Sequence, residues 1–355
     1  SPRIDFKQVP LYESDGIVLG KTRYYGGIKK YQWTTIPLAL HGAVVLGDGS
    51  KVEVKIGEDE GDPVFYISDL LPHLSQKQNT KTLAEAFSGE DLNIWLGNIP
   101  YTAAKEDGDK TVKENLLHIL NEKYGIKEED FLSAELSLVP AYKARDIGFD
   151  RALIGAYGHD DRVCSYPAFS ALFDTETDGK TVMVVLADKE EIGSEGTTGM
   201  QCAIFTDLID AIAASFDTTS AVIRAHSKCL SADVNAAYDP NFKDVNEPMN
   251  STYVSCGAGL TKFTGARGKS GSNDASAEFM AEIRKVFNDE GVIWQTGELG
   301  KVDQGGGGTV AKFIAKMNID TVDIGVAVVS MHAPYEVISK ADVYEMYLAC
   351  KAFMK

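Results

Sequence analysis

The character of the sequence changes at about residue 149, and this change is the strongest constraint on the fold. Before that point the chain reads mainly as strands and turns, with one clear helix. After it, continuous apolar runs at 181–187 and 324–329 alternate with helical stretches. Runs of this length without polar interruption are typical of strands that are covered on both faces. The second part of the chain is therefore predicted to be α/β.

Two local signals in the first part are specific enough to predict individual elements. Residues 38–56 contain two apolar stretches on either side of Gly47-Asp48-Gly49, which predicts a β-hairpin. Thr111 and Glu114 have the spacing of a helix capping box, and Gly125 follows at a distance that predicts the end of the same helix.

Charge and composition exclude several classes of partner. The chain has 355 residues and a formal net charge of -17, whereas nucleic-acid binding requires clustered Lys and Arg. It contains no apolar run of about 18 residues, and its N-terminus lacks the pattern of a secretory signal. Its five cysteines are widely spaced and include no C-x-x-C pair, which indicates reduced thiols. These features predict a cytoplasmic protein without nucleic-acid or membrane partners.

Polar residues that directly follow buried strands are the best candidates for chemistry, because ligands of open α/β sheets bind at the carboxyl ends of the strands. Asp188-Lys189-Glu190-Glu191 follows the run at 181–187. Three carboxylates in an enclosed site would repel one another unless a cation lay among them, so the segment indicates either a metal site or a solvated acidic turn.

Three further positions carry possible metal ligands. Asp160-Asp161 follows the apolar stretch at 152–157, where Asp161 could bridge two metals or the pair could cap a helix. Asp233 comes after a stretch that reads as helical, and would ordinarily be a turn residue. His332 lies at the end of the run at 324–329 and could bind zinc or pack in the core. Together these residues form the carboxylate and imidazole mixture of a hydrolytic zinc pair.

A nucleotide-binding enzyme is the first alternative, because Gly305-Gly306-Gly307-Gly308 precedes a predicted helix and glycine-rich helix starts bind anions. However, a phosphate loop ending at Gly268-Lys269-Ser270 would need glycine at position 263, where the chain has Phe263.

The motifs, taken in order, resemble those of the M18 metallopeptidases, the family that contains aspartyl aminopeptidase and aminopeptidase I. The resemblance runs from Ser1 to the C-terminus, and the residues of the motifs are more similar to the bacterial aminopeptidase I branch. The segments that carry it are Ser1-Pro2-Arg3-Ile4-Asp5, Tyr25-Gly26-Gly27, Asp188-Lys189-Glu190-Glu191-Ile192-Gly193-Ser194, Ser231-Ala232-Asp233, Thr261-Lys262-Phe263-Thr264-Gly265 and Ser330-Met331-His332.

Carried over by position, the resemblance implies a site with two zinc ions per subunit, although cobalt or manganese accept the same ligands. Asp161 would bridge the two metals, and Glu191, Asp233 and His332 would be terminal ligands. Glu190 would be the general base, which takes a proton from the attacking water and passes it to the departing amine.

The resemblance also implies a substrate class and two further site residues. The substrates would be peptides whose N-terminal residue is neutral, aliphatic or acidic. The similarity of the motifs to the bacterial aminopeptidase I branch favours the neutral or aliphatic class. Lys262 would contact substrate or transition-state oxygen. His73 would reach the active site of a neighbouring subunit, in an enzyme whose dimers assemble into a dodecamer.

The implied fold is a mixed sheet flanked by helices, as in other zinc exopeptidases, with an inserted strand-rich dimerisation domain. Residues 1–10 and 149–355 would form the catalytic domain, and residues 11–148 the insertion. Family members carry His-x-Asp immediately before the Ser-Pro segment, whereas this chain starts at Ser1. We therefore expect that a metal ligand and an N-terminal portion of the catalytic domain lie outside this sequence. The alternative is a truncated, non-catalytic member that retains assembly.

Overall fold

The computed structural model describes residues 1–102 and 111–355, which form two compact units. The α/β unit contains Ser1, Ala144–Met331 and Glu336–Lys355. The strand-rich unit contains Pro2–Lys143 and His332–Tyr335.

One antiparallel sheet of six strands dominates the strand-rich unit, in the spatial order β4-β3-β6-β1-β2-β5. Its strands are β1 (Arg3–Ser14), β2 (Ile17–Tyr25), β3 (Leu38–Val45), β4 (Lys51–Ile56), β5 (Ile94–Gly97) and β6 (Ala134–Pro140). Residues 1–10 are predicted from the sequence to belong to the catalytic domain, but residues 3–10 lie in β1. Because β1 pairs with β2 along most of its length and with β6 on its other edge, it is an interior strand of this sheet.

The predicted hairpin is confirmed as β3 and β4, which pair from Leu40 opposite Ile56 to Val45 opposite Lys51. Gly42 in β3 has a φ of +144°, and a Cβ added there would lie 1.8 Å from the carbonyl oxygen of Glu135 in β6. The close approach of the neighbouring strand therefore requires glycine at this position.

The predicted helix is also confirmed, as the last of the α-helices among the described residues of this unit. These are α1 (Gln76–Asn79), α2 (Leu83–Ala86) and α3 (Val112–Tyr124). The side chain of Thr111 accepts the backbone N–H of Glu114 at 3.1 Å, and the Glu114 carboxylate accepts the N–H of Thr111. Gly125 ends α3 in the left-handed conformation, with a φ of 72°.

The α/β unit contains several short sheets. The strands are β7 (Arg145–Ile147), β8 (Leu153–Ala156), β9 (Lys228–Ala232), β10 (Asn235–Ala236), β11 (Ala258–Thr261), β12 (Gly265–Ala266), β13 (Trp294–Thr296), β14 (Gly306–Gly307), β15 (Asp320–Gly325), β16 (Ala327–Val328) and β17 (Glu336–Ser339). The largest sheet has the order β13-β11-β15-β9, with β11 and β15 antiparallel and the other two pairs parallel. It is therefore a mixed sheet, as predicted. β17, β8 and β7 form an antiparallel sheet of three strands.

Helices of the α/β unit supply much of its core. They are α4 (His159–Asp174), α5 (Ile204–Ser215), α6 (Ser220–Ala225), α7 (Ala277–Asp289), α8 (Ala311–Ala315) and α9 (Lys340–Met354). Phe279, Ile283 and Phe287 on α7 are almost fully buried and belong to the same apolar cluster as Val322 and Ile324 of β15. Their spacing of four residues places them on one face of the helix, which anchors α7 in the core around this sheet.

The prediction of a buried strand at 181–187 is wrong. Val182 and Val184 pack against the core, but Val185 and Leu186 are 44% and 61% exposed, and no named strand of the described residues includes this segment. A strand requires a neighbour that satisfies its backbone hydrogen bonds, which apolar composition alone does not supply.

The expected helix before Asp233 is also wrong, because Asp233 directly follows β9. The glycine run at 305–308 also lacks the conformation that the phosphate-binding alternative requires. Gly306–Gly307 forms β14, which pairs with β12, and does not open a helix.

Within the described parts of the chain, no helix has the length and apolar character needed to cross a lipid bilayer.

We expect Asp342→Ala to destabilise the α/β unit. Asp342 is fully buried, and its carboxylate accepts the backbone N–H groups of Ser255 at 2.7 Å and Gly257 at 2.8 Å. Loss of the acceptor should cost about 1–3 kcal/mol for each N–H left unsatisfied. The measurement is urea unfolding followed by circular dichroism. Asp342→Asn keeps one acceptor oxygen and should lose less stability, whereas an Asp342→Ala variant as stable as the parent would contradict this role.

Candidate metal centre

The first part of the site forms where β8 leads into α4. Gly158 adopts a left-handed conformation, with a φ of 80°, just before the helix. Asp160 and Asp161 have non-helical backbone angles, so the regular turns of α4 begin after them. The peptide bond between them is cis. The loop between strand and helix therefore carries both carboxylates.

Asp233 reaches the same region from the end of β9. Parallel pairing of β9 with β15 continues beyond the strand, since the N–H of Asp233 donates to the carbonyl of Ile324 at 3.1 Å. The Asp233 carboxylate accepts the N–H of Val234 at 2.8 Å. The sheet thus fixes the backbone at Asp233, as expected for a site residue at the carboxyl end of a strand.

Asp160 is the residue at which the carboxylates converge. Possible ligand oxygens of Asp160, Asp161 and Asp233 all lie within 4.8 Å of one another. A carboxylate oxygen of Glu191 also lies within 4.8 Å of one from Asp160. Oxygens at this spacing could bind a shared divalent cation. Asp160 is buried, so its carboxylate is withdrawn from bulk water.

Electrostatic interactions among these groups favour a bound cation. Burial, followed by repulsion from Asp160, raises the pKa of Asp161 to about 8. Burial also raises the pKa of Asp233 well above its ordinary value, and the charges of Asp161, Asp160 and Glu190 add to the effect. Oδ1 of Asp161 is buried and, among the described residues, has no hydrogen-bond partner. Such an arrangement holds charged carboxylates poorly unless positive charge is nearby.

Glu190 and Glu191 lie in a single turn of 3₁₀ helix, Glu190–Ile192. Lys189 before the turn and Gly193 after it are both left-handed, with φ values of 65° and 96°. Oε1 of Glu191 lies 3.9 Å from the amino group of Ser1. The charge of Glu190 contributes to the raised pKa of Asp233. The short turn therefore brings two adjacent carboxylates to the same region of the α/β unit.

His332 lies in the strand-rich unit, where its Nδ1 is 2.8 Å from the carbonyl oxygen of Gly27. A carbonyl can only accept, so Nδ1 donates this hydrogen bond, and in the neutral imidazole the lone pair is then on Nε2. This hydrogen bond gives His332 the tautomer in which Nε2 can bind a metal.

Two other predicted site residues, Lys262 and His73, have no described contact with the carboxylate cluster. Lys262 forms an ion pair with Asp274, and Lys269 contacts the other oxygen of the same carboxylate at 2.9 Å. His73 is exposed in a short 3₁₀ helix, Pro72–Leu74. The proposed roles of Lys262 and His73 stay predictions.

Sequence reasoning gave too little weight to two residues. Asp160 stood beside Asp161 in the motif, and adjacency alone could not show which carboxylate would be central. Glu336 is buried and accepts the backbone N–H of Asp160 at 3.1 Å. No motif identified Glu336, because a single glutamate at the start of a strand has no specific signature.

The family of the chain follows from its similarity to known proteins. The family model described as aminopeptidase I zinc metalloprotease (M18) matches residues 1–354. A probable M18 family aminopeptidase 1 of Clostridium acetobutylicum is 50% identical over 358 residues, which cover 100% of this chain and 77% of the relative. Its counterpart from Thermotoga maritima is 48% identical over 360 residues, which cover 100% and 78%.

Solved structures show the same fold. The crystal structure of an M18 family aminopeptidase from Thermotoga maritima has a TM-score of 0.96 at 47% identity, covering 100% of this chain and 79% of that one. A structure described as the Saccharomyces cerevisiae mApe1 dodecamer has a TM-score of 0.74 at 21% identity, covering 99% and 77%. The whole-chain family match and the two bacterial relatives establish that this chain belongs to the M18 family of zinc metalloaminopeptidases.

Proposed function

We propose that the protein removes the N-terminal residue of peptides with two zinc ions bound at the carboxylate cluster. The observation that carries this proposal is the convergence of Asp160, Asp161 and Asp233 within 4.8 Å, together with the approach of Glu191 to Asp160. Gathering so many acidic groups in a shielded site is costly without cations. The donor set of carboxylates and one imidazole fits zinc.

Within this proposal, Asp160 is a better candidate for the bridging ligand than Asp161. Asp160 lies within 4.8 Å of Asp233 and also of Glu191, so its two oxygens could serve two ions. Asp233 and Glu191 would be terminal ligands, with His332 binding through Nε2. Asp161 also contributes negative charge, and its Oδ2 accepts the Ser165 hydroxyl at 3.1 Å.

Glu190 is proposed as the general base. Its place next to the ligand Glu191 keeps it close to the cluster, and its charge influences Asp233. Its carboxylate would take a proton from the attacking water and deliver it to the nitrogen of the departing amine. When bound, zinc supplies Lewis acidity, which polarises the scissile carbonyl and lowers the pKa of the water.

For the substrate, we propose a preference for neutral or aliphatic N-terminal residues over acidic ones. Lys262 is the positive group assigned to substrate contact, but its charge is countered by Asp274 in an ion pair. Lys269 shares the same carboxylate, so the three side chains keep one net positive charge. The preference therefore rests on the ion pair that holds the Lys262 ammonium group to Asp274 and leaves it less free to pair with an acidic side chain of the substrate. Its remaining role would be a hydrogen bond to a substrate or transition-state oxygen.

We further propose that the chain assembles through dimers into a dodecamer, and that His73 acts in the active site of a neighbouring subunit. The dodecameric description of the yeast structure and the shared fold support this proposal. The exposure of His73 leaves its ring available to a second copy. A non-catalytic assembly protein is not favoured, because the relatives at about 50% identity are named as aminopeptidases.

Removal of metal should abolish hydrolysis. We expect the purified protein to contain about two zinc ions per chain by plasma mass spectrometry. Dialysis against 1,10-phenanthroline should eliminate cleavage of aminoacyl p-nitroanilides, and added zinc should restore it. A panel of leucyl, alanyl, aspartyl and glutamyl substrates measures the proposed preference. Hydrolysis that survives complete zinc removal would contradict the mechanism.

Glu190→Gln should lower kcat by about 10²–10⁴-fold, because the glutamine amide cannot accept the proton. Zinc content should stay at the parental value, since Glu190 is not assigned as a ligand. The matched control is Glu195→Gln, which removes one exposed charge from the same loop and should retain full turnover. Parental kcat in the Glu190→Gln enzyme would exclude Glu190 as the base.

A further inference from the structure

A buried glutamate holds the main chain of Asp160. Glu336 is 2% exposed, and its Oε2 lies 3.1 Å from the backbone nitrogen of Asp160. The two residues are 176 positions apart, so the tertiary fold brings them together. Because burial of a carboxylate is costly, a glutamate at this position requires compensating hydrogen bonds, of which the Asp160 N–H supplies one.

Strand pairing sets the position of Glu336. β17 runs antiparallel to β8, with Glu336 directly opposite Ala156. Ala156 ends β8, and Asp160 follows only four residues later. The pairing of β17 with β8 and the short loop from Ala156 to Asp160 therefore place the Glu336 carboxylate next to the Asp160 N–H. Asp160 is buried, and a buried backbone N–H needs an acceptor within the protein.

The carbonyl side of Asp160 is held as well. The hydroxyl of Ser1 donates to the Asp160 carbonyl oxygen. Asp160 is therefore fixed by hydrogen bonds to both its N–H and its C=O. With the backbone held on both sides, the direction of the Asp160 side chain toward Glu191 and Asp233 is also restricted.

We propose that Glu336 is a positioning residue for the metal centre, which acts by accepting the Asp160 N–H and so fixing the orientation of the Asp160 carboxylate. This inference rests on the proposed function of Asp160 as the ligand shared by two ions. Partners that orient metal ligands typically change metal affinity by about 10–100-fold when removed. The acceptor oxygen is the required feature, so glutamine should substitute for glutamate.

The test compares Glu336→Ala with Glu336→Gln in the full chain. Zinc affinity is measured by competition with a chromogenic chelator, and the visible absorption of the cobalt-substituted protein reports the coordination geometry. Glu336→Ala should weaken zinc binding by about 10–100-fold and shift the cobalt bands. Glu336→Gln should lose less than about tenfold and keep the parental spectrum. Glu336→Leu, which preserves side-chain volume, replaces Glu336→Ala if the alanine variant does not fold.

Asp342→Ala is the matched control, because Asp342 is also a buried carboxylate that accepts backbone N–H groups but bonds to Ser255 and Gly257. It should lower stability without changing zinc affinity or the cobalt spectrum. Parental affinity in Glu336→Ala, or equal losses in Glu336→Ala and Glu336→Gln, would overturn the inference alone. A parent protein that binds no zinc would overturn the proposed function as well.

Discussion

Repulsion among converging carboxylates is the constraint on which the site depends. Asp160, Asp161 and Asp233 come within 4.8 Å of one another, and Glu191 approaches Asp160. Burial and mutual repulsion raise the pKa of Asp161 to about 8, and raise that of Asp233 well above its ordinary value. These carboxylates stay charged together only with positive charge among them, and that requirement favours divalent cations over a solvated acidic turn.

The fold meets this requirement with regular structure on each side of the site. The parallel pairing of β9 with β15 fixes Asp233, and the pairing of β17 with β8 fixes Glu336 against Asp160. Asp160 and Asp161 come from the loop after β8, and Glu190 and Glu191 come from a single short turn. Strand pairing next to the loop and the turn can hold these carboxylates at defined positions before a cation binds, which reduces the ordering cost of binding.

Local sequence signals predicted local structure well, and non-local structure poorly. The hairpin of β3 and β4 and the capped helix α3 were predictable because turn glycines and a capping box act within a few residues. The strand expected at 181–187 failed because its formation depends on a partner strand that composition cannot identify. Likewise, Gly27 lies 305 positions from His332, and no spacing rule could have linked them. The motifs located the acidic segments of the proposed site, but the proposal that Asp160 rather than Asp161 is the shared ligand rests on three-dimensional distances.

Anomalous X-ray diffraction at the zinc absorption edge, from crystals of the zinc-loaded protein, tests the central claim most directly. The account predicts two anomalous peaks that share the carboxylate of Asp160, one next to Glu191 and the other next to Asp233. A single peak, or two peaks bridged by Asp161 with Asp160 turned away, would contradict the assignment. Zinc bound elsewhere, with the carboxylate cluster empty, would contradict the account as a whole.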